Sequence, residues 1–160
     1  MRLRLSSRRL VLTPEQPADA GWLADLFTAR GTGIVTIEAA RKRIEAMTKT
    51  LAASGIGAVV MRPRDGSPPV GYCALVVGRA SLAEPEIAYE VLPGAQGRGY
   101  ATEASRALID AAWDTGRDRV WATIRAWNVA SLRVADKLGF VHHHRTTDAH
   151  GELLWFRCDR

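Results

Sequence analysis

Glu86 and Glu90 stand four residues apart in the run Glu86-Ile87-Ala88-Tyr89-Glu90-Val91, whose period of two is that of a strand. Both carboxylates therefore project from one face, opposite Ile87, Tyr89 and Val91. Two carboxylates so placed can do general acid–base work; they would equally suit a solvated strand face. Pro93 ends the run, Gly94, Gly97 and Gly99 follow, and then Ala101, Ala104, Ala107, Leu108, Ala111 and Ala112 recur at helical spacing. This is strand, loop, helix. Gly97 and Gly99 leave the loop's N–H groups unobstructed where the helix begins, and the helix dipole favours an anion there. The loop lacks the lysine and Ser/Thr of a nucleoside-triphosphate loop and the Gly-x-Gly-x-x-Gly spacing of dinucleotide folds. Glu103, in the first helical turn, is accounted for by the same dipole.

A second cluster lies downstream. Asn128 precedes a helical pattern and reads as its N-cap, with Ser131 three residues later. His142, His143, His144 and His150 invite a metal reading. On a strand, however, His142 and His144 face one way and His143 the other, and no cysteine or helical His-x-x-x-His spacing completes a site. No metal is expected. Cys73 lies in an apolar run and Cys158 near the C-terminus, without the spacing of a disulfide framework.

The register Gln96-x-x-Gly99-x-Ala101, directly after a strand ending in Pro93, resembles the pyrophosphate-binding motif of the GNAT superfamily of acetyl-CoA-dependent N-acetyltransferases. Asn128-Val129-Ala130-Ser131 leading to Lys137-Leu138-Gly139-Phe140 resembles that family's second segment, at a similar separation. The match is specific over roughly residues 84 to 146. It looks most like the branch of ribosomal-protein and small-molecule N-acetyltransferases, on the wording of Arg9-Leu10-Val11-Leu12 and Tyr100-Ala101-Thr102-Glu103-Ala104.

The resemblance implies acetyl-CoA as co-substrate and acetyl transfer to an amine by direct attack, the amine being a protein N-terminus, a lysine or a small molecule. Main-chain groups around Tyr89 and Val91 would hold the acyl arm. Gln96, Gly97, Arg98, Gly99, Tyr100, Ala101 and Thr102 would hold the pyrophosphate, Asn128 the pantetheine, and Lys137 is a further cofactor-binding candidate. Glu86 matches a glutamate that some members use as base, and Glu90 lies closer to where the acetyl group belongs. Where many members carry a tyrosine that protonates the thiolate, this chain has Ala135; Ser131 is then the candidate acid. A histidine lining the acceptor pocket is the better use of the histidine run, with His144 or Asp148 able to take a proton there.

The elements that must position these residues follow from periodicity. Residues 8–13 form a first strand at or near an edge; Trp22, Leu23, Leu26 and Phe27 mark a helix over Ala18 to Ala29; Thr36 caps another that stops at Gly55. Trp22 and Phe27 are core residues of that first helix before they are substrate contacts. Residues 56–62 and 70–77 form a hairpin across Asp65-Gly66 and Pro68-Pro69. After the strand at 86–92 and the helix from Tyr100 to about Asp114 come a strand through Val120, Ala122 and Ile124, a helix from Asn128 to Leu138, and two closing strands. The expected fold is α/β: a mixed central sheet of about seven strands with helices on both faces, in a single N-acetyltransferase domain over 1–160.

With 160 residues and 47% hydrophobic content, the chain suits one core rather than two. The net charge of +5 comes from scattered Arg and Lys, which argues against a nucleic-acid stripe and is matched by a polyanionic cofactor. Only Arg98, Arg133 and Lys137 fall within the motif regions. No apolar run approaches the ~20 residues of a membrane helix, and no signal-peptide pattern opens the chain. A cytoplasmic monomer or homodimer with neither nucleic-acid nor membrane partners is expected. The alternative to an enzyme is a catalytically weak GNAT-fold module that binds an acyl-CoA.

Overall fold

The computed structural model describes residues 4–160. One eight-stranded sheet runs in the order β1-β2-β3-β4-β5-β6-β8-β7. The strands are β1 (Leu5–Ser6), β2 (Leu10–Pro14), β3 (Ala58–Pro63), β4 (Gly71–Val76), β5 (Glu86–Val91), β6 (Arg119–Arg125), β7 (Val141–Asp148) and β8 (Gly151–Asp159). The expectation of about seven strands misses β1, whose two residues pair with Leu12 and Val11. A pair that short carries no periodicity to read. β2 is therefore next to the edge, and Pro14, expected to close it, is its last residue, paired with Val59.

Four helices cover the sheet: α1 (Ala20–Thr28), α2 (Ile37–Ser54), α3 (Tyr100–Trp113) and α4 (Val129–Leu138). α2 starts where the Thr36 hydroxyl accepts from the Ala39 N–H and ends at Gly55, in the left-handed conformation. Leu23, Leu26 and Phe27 of α1 and Ile44 of α2 bury against Ala58, Tyr72 and Ala74 on one face. On the other, Leu108, Ile109 and Ala112 of α3 and Ala135 and Leu138 of α4 bury against Met61, Cys73, Ile87, Val120 and Ala122. Phe27 is thus core, as its spacing indicates, and stands edge-on to Tyr72 with ring centroids 6.0 Å apart.

One break in this sheet makes the site. β5 and β6 are parallel neighbours, yet their register contains a single pair, Glu86 with Trp121. Past it the strands splay. The main-chain groups of β5 that would pair with β6 have no strand partner from there on, and along the half-buried stretch from Ala88 to Val91 they are open to a ligand.

Candidate active site

A cavity of about 490 Å³ opens in that splay, lined by Tyr89, Glu90 and Val91 of β5, by the loop into α3, and by α4. The loop begins with a 3-10 turn at Pro93–Ala95. The Gln96 side chain donates from Nε2 to the Val91 carbonyl at 3.0 Å, which pins the loop to the strand end. Gly99 is the residue before α3, with φ +80°; an L side chain there carries the cost of the left-handed region. Gly97, Gly99, Tyr100, Ala101 and Thr102 all line the cavity. Arg98 is exposed and is not among the residues that line the cavity.

α4 supplies the opposite wall through Asn128, Ala130, Ser131, Arg133, Val134 and Lys137. Two arrangements fix its start. Asn128 Oδ1 accepts from the Ser131 N–H at 3.1 Å, so Asn128 is an N-cap as its position suggests. The Tyr89 hydroxyl donates to the Ser131 carbonyl at 3.2 Å, which ties α4 to β5 across the splay. Burial pushes the Tyr89 phenol up by more than the Ser131 contact lowers it, so it stays a donor. Ser131 lines the cavity, and its Oγ makes no hydrogen bond among the described residues, so the hydroxyl is not spent on capping. Ala135 is buried in the core. Arg133 and Lys137 put two cations on the wall facing the glycine loop. Ala95, Ala130 and Val134 were not legible as lining residues, because small apolar side chains on a helix read as core.

The two glutamates share a face of β5, as the alternation requires, but their surroundings differ. Glu86 is 7% exposed. The Thr123 hydroxyl donates to one oxygen, and the Arg79 N–H donates to the other at 3.0 Å. Gly78, at φ +52°, closes over it so tightly that a Cβ would lie 2.3 Å from the carboxylate oxygen. Glu86 thus ties the β4–β5 loop to β6 beside the one β5–β6 pair, and it does not line the cavity.

Glu90 lines the cavity. Arg30, just after α1, donates from Nε to both its oxygens at 3.0 Å and from Nη2 to one of them. The same Nη2 reaches the Tyr72 hydroxyl at 3.2 Å, and the guanidinium lies over the Phe27 ring at 4.3 Å. Arg43 of α2 covers the Tyr72 ring at 4.8 Å and pairs with Glu15, whose carboxyl burial raises despite that partner. Sequence reasoning named neither Arg30 nor Tyr72 for this region, since their proximity to Glu90 arises only from the fold.

Two expectations are corrected. His143 and His144 do not face opposite ways: a bulge between His142 and His144 brings their rings together, with Nδ1 atoms 2.8 Å apart. They pack with Trp121 and Trp155 instead of lining the cavity. Asp148 cannot accept a proton near neutral pH, because hydrogen bonds from Arg125 hold its carboxyl at about 2. Glu103 also does more than face a dipole. It accepts from Ser7 Oγ at 2.7 Å, the Arg9 N–H at 2.6 Å and Arg9 Nε at 2.7 Å. Burial raises its carboxyl, and those bonds together outweigh that and lower it. Among the described residues no group of three His, Cys, Asp or Glu side chains gathers as metal ligands, and no helix is long and apolar enough to cross a membrane.

A splayed parallel pair, a glycine loop at a helix start and a capped helix opposite define a fold that binds an extended anionic ligand between strands. A family model described as an acetyltransferase (GNAT) domain matches residues 9–141. The chain belongs to the GNAT acetyltransferase family, whose members use acetyl-CoA. A protein from Bordetella pertussis assigned to GnaT-family acetyltransferases is similar at 28% identity and a TM-score of 0.82, covering 98% of this chain and 99% of that one. Mycobacterium smegmatis RimJ, solved with CoA-disulfide, is similar at 19% identity and a TM-score of 0.84, over 98% of this chain and 87% of the other. A ribosomal-protein-S5-alanine acetyltransferase from Vibrio fischeri is similar at 15% identity and a TM-score of 0.83, over 99% and 97%. At these last two identities the likeness is one of fold. A search of curated protein sequences gives no significant match.

Proposed function

We propose that residues 1–160 act as one N-acetyltransferase domain that passes the acetyl group of acetyl-CoA directly to an amine in the β5–β6 splay. The observation that carries the reading is the one cavity around which the glycine loop, the end of β5 with Glu90, and Ser131 on α4 come together. Amides of Gly97 to Thr102 hold the pyrophosphate, with Lys137 and Arg133 as counter-charges in place of Arg98. Main-chain groups of Tyr89 and Val91 line up the acyl arm and Asn128 borders it.

The amine nitrogen attacks the acetyl carbonyl carbon and its proton passes to Glu90, the carboxylate on the cavity wall. The carbon–sulfur bond then breaks, and the Ser131 hydroxyl donates its proton to the departing sulfur; water restores the Ser131 proton and takes up the one that Glu90 accepted, so both groups return to their starting states. Glu86, locked by Thr123 and Arg79, shapes the vertex of the splay. The acceptor is a protein N-terminus, a lysine or a small-molecule amine. The alternative, a module that binds acyl-CoA without turning it over, is separated by one experiment. Incubation of acetyl-CoA with a panel of amines should release free thiol only when an amine is present and should yield the N-acetylated product. Binding of acetyl-CoA with no product from any amine supports the module.

A further inference from the structure

We propose that Arg30 is a specificity-determining residue, and that it takes an oxygen lying beside the acceptor's amine, so that the favoured acceptor carries a carbonyl or carboxylate on the carbon next to its amino carbon. The inference rests on the acetyl-transfer reading of the cavity. Arg30 is held in one orientation from three sides: the Phe27 ring beneath it, the Tyr72 hydroxyl on Nη2, and Glu90 along the Nε–Nη2 edge. Arg43, stacked on both Phe27 and Tyr72, fixes the two rings from the α2 side. Nη1 makes no hydrogen bond among the described residues, and the Arg30 side chain is 45% exposed beside a Glu90 that is 24% exposed.

A guanidinium is a planar fork. With one edge occupied by Glu90, the N–H groups of Nη1 remain unpaired on the adjoining side of a side chain that is itself partly exposed, next to a residue that lines the cavity. An acceptor whose ammonium meets Glu90 therefore brings its neighbouring atoms against Nη1. An oxygen there gains a charge-assisted hydrogen bond. A plain alkyl group there leaves Nη1 unmatched, and a second ammonium, as in a diamine, meets a like charge. The pair discriminates by rewarding the α-amino unit and rejecting the polycation.

Steady-state acetylation of alaninamide, propylamine and 1,3-diaminopropane tests this. Comparing each variant's preference with the wild-type preference cancels the acceptors' intrinsic reactivities. The wild type is expected to favour alaninamide, and Arg30→Gln to raise the KM for alaninamide about tenfold with the KM for acetyl-CoA unchanged, shrinking the alaninamide-to-propylamine ratio of kcat/KM by a similar factor. Arg30→Lys, which keeps a charge beside Glu90 without the fork, should retain the wild-type melting temperature and recover only part of that preference, which separates selection from folding. An unchanged ratio in both folded variants overturns the assignment alone. Absence of acetylation of all three amines by the wild type overturns the assignment together with the acetyl-transfer reading.

Discussion

At the α3 end of the cavity the groups on offer are main-chain amides of a glycine loop, whereas at the β5 face they are side chains delivered by α1, α2, β4 and β5. The first kind of site is made by a dozen consecutive residues and tolerates change in everything except backbone conformation. The second depends on Arg30, Tyr72 and Glu90 arriving from distant parts of the chain and bonding one another. Under the proposed function these two kinds of site can vary independently: substitutions at the β5 face should change turnover and acceptor preference, and those in the loop should change affinity for the coenzyme.

The largest expected effect lies at the β5 face. Glu90→Gln should lower turnover on the order of 10²–10⁴-fold while the melting shift on adding acetyl-CoA stays as in the wild type. Initial rates and thermal shifts on one preparation check both halves. Full activity with Gln at this position would move the proton acceptor to water and break the contrast between the two ends.

Ser131→Ala should cost about 10²-fold in kcat, the magnitude of losing one donor to a developing anion, with little rise in the KM for acetyl-CoA. Because Ser131 Oγ takes no part in the Asn128 cap, its melting temperature should not change; a drop in melting with turnover intact would return the residue to a capping role.

Glu86→Gln sharpens the comparison from the other side. An amide oxygen can still accept from the Arg79 N–H, and the Thr123 hydroxyl can turn to accept from the amide. Turnover should stay within about twofold, at a cost of about 1 kcal/mol, or roughly 2–4 °C in melting temperature. A large loss of turnover without loss of stability would make Glu86 the base.

The smallest effect is one of pH. Glu103 anchors the turn before β2 to the first turn of α3, and its folded carboxyl lies below the ordinary 4.5. The unfolded chain therefore takes up the proton first. The stabilisation is complete above about pH 4.5 and is lost as pH falls through the lower folded value. Wild type and Glu103→Gln should differ by a few degrees in melting temperature at pH 7 and converge in acid; a constant gap would assign the difference to shape rather than charge.

The contrast between the ends also governs what could be read beforehand. Strand, loop and helix around Gly99 are local, so the glycine-loop wall of the cavity was legible from spacing, as were the Thr36 and Asn128 caps and the hairpin across Gly66. The Arg30–Glu90–Tyr72 cluster joins residues up to 60 apart in the chain, and no period marks it. The histidines were misassigned because a bulge adds one residue to β7 and shifts alternation from that point on. β1 was missed for its length.

The central claim, that the glycine loop at α3 holds the coenzyme, is tested most directly by calorimetric titration of coenzyme A into the wild type and Gly99→Asp. An aspartate there adds a negative charge at the start of α3, within reach of Arg9, whose Nη2 would stand 3.5 Å from its Cβ; against an anion at that helix start it is a repulsion of up to about 3 kcal/mol at partly screened contact distance, in a backbone conformation that already disfavours any side chain. The wild type should bind, and the folded variant should bind about 10²-fold more weakly or not at all. Equal affinity in the two folded proteins would contradict the account.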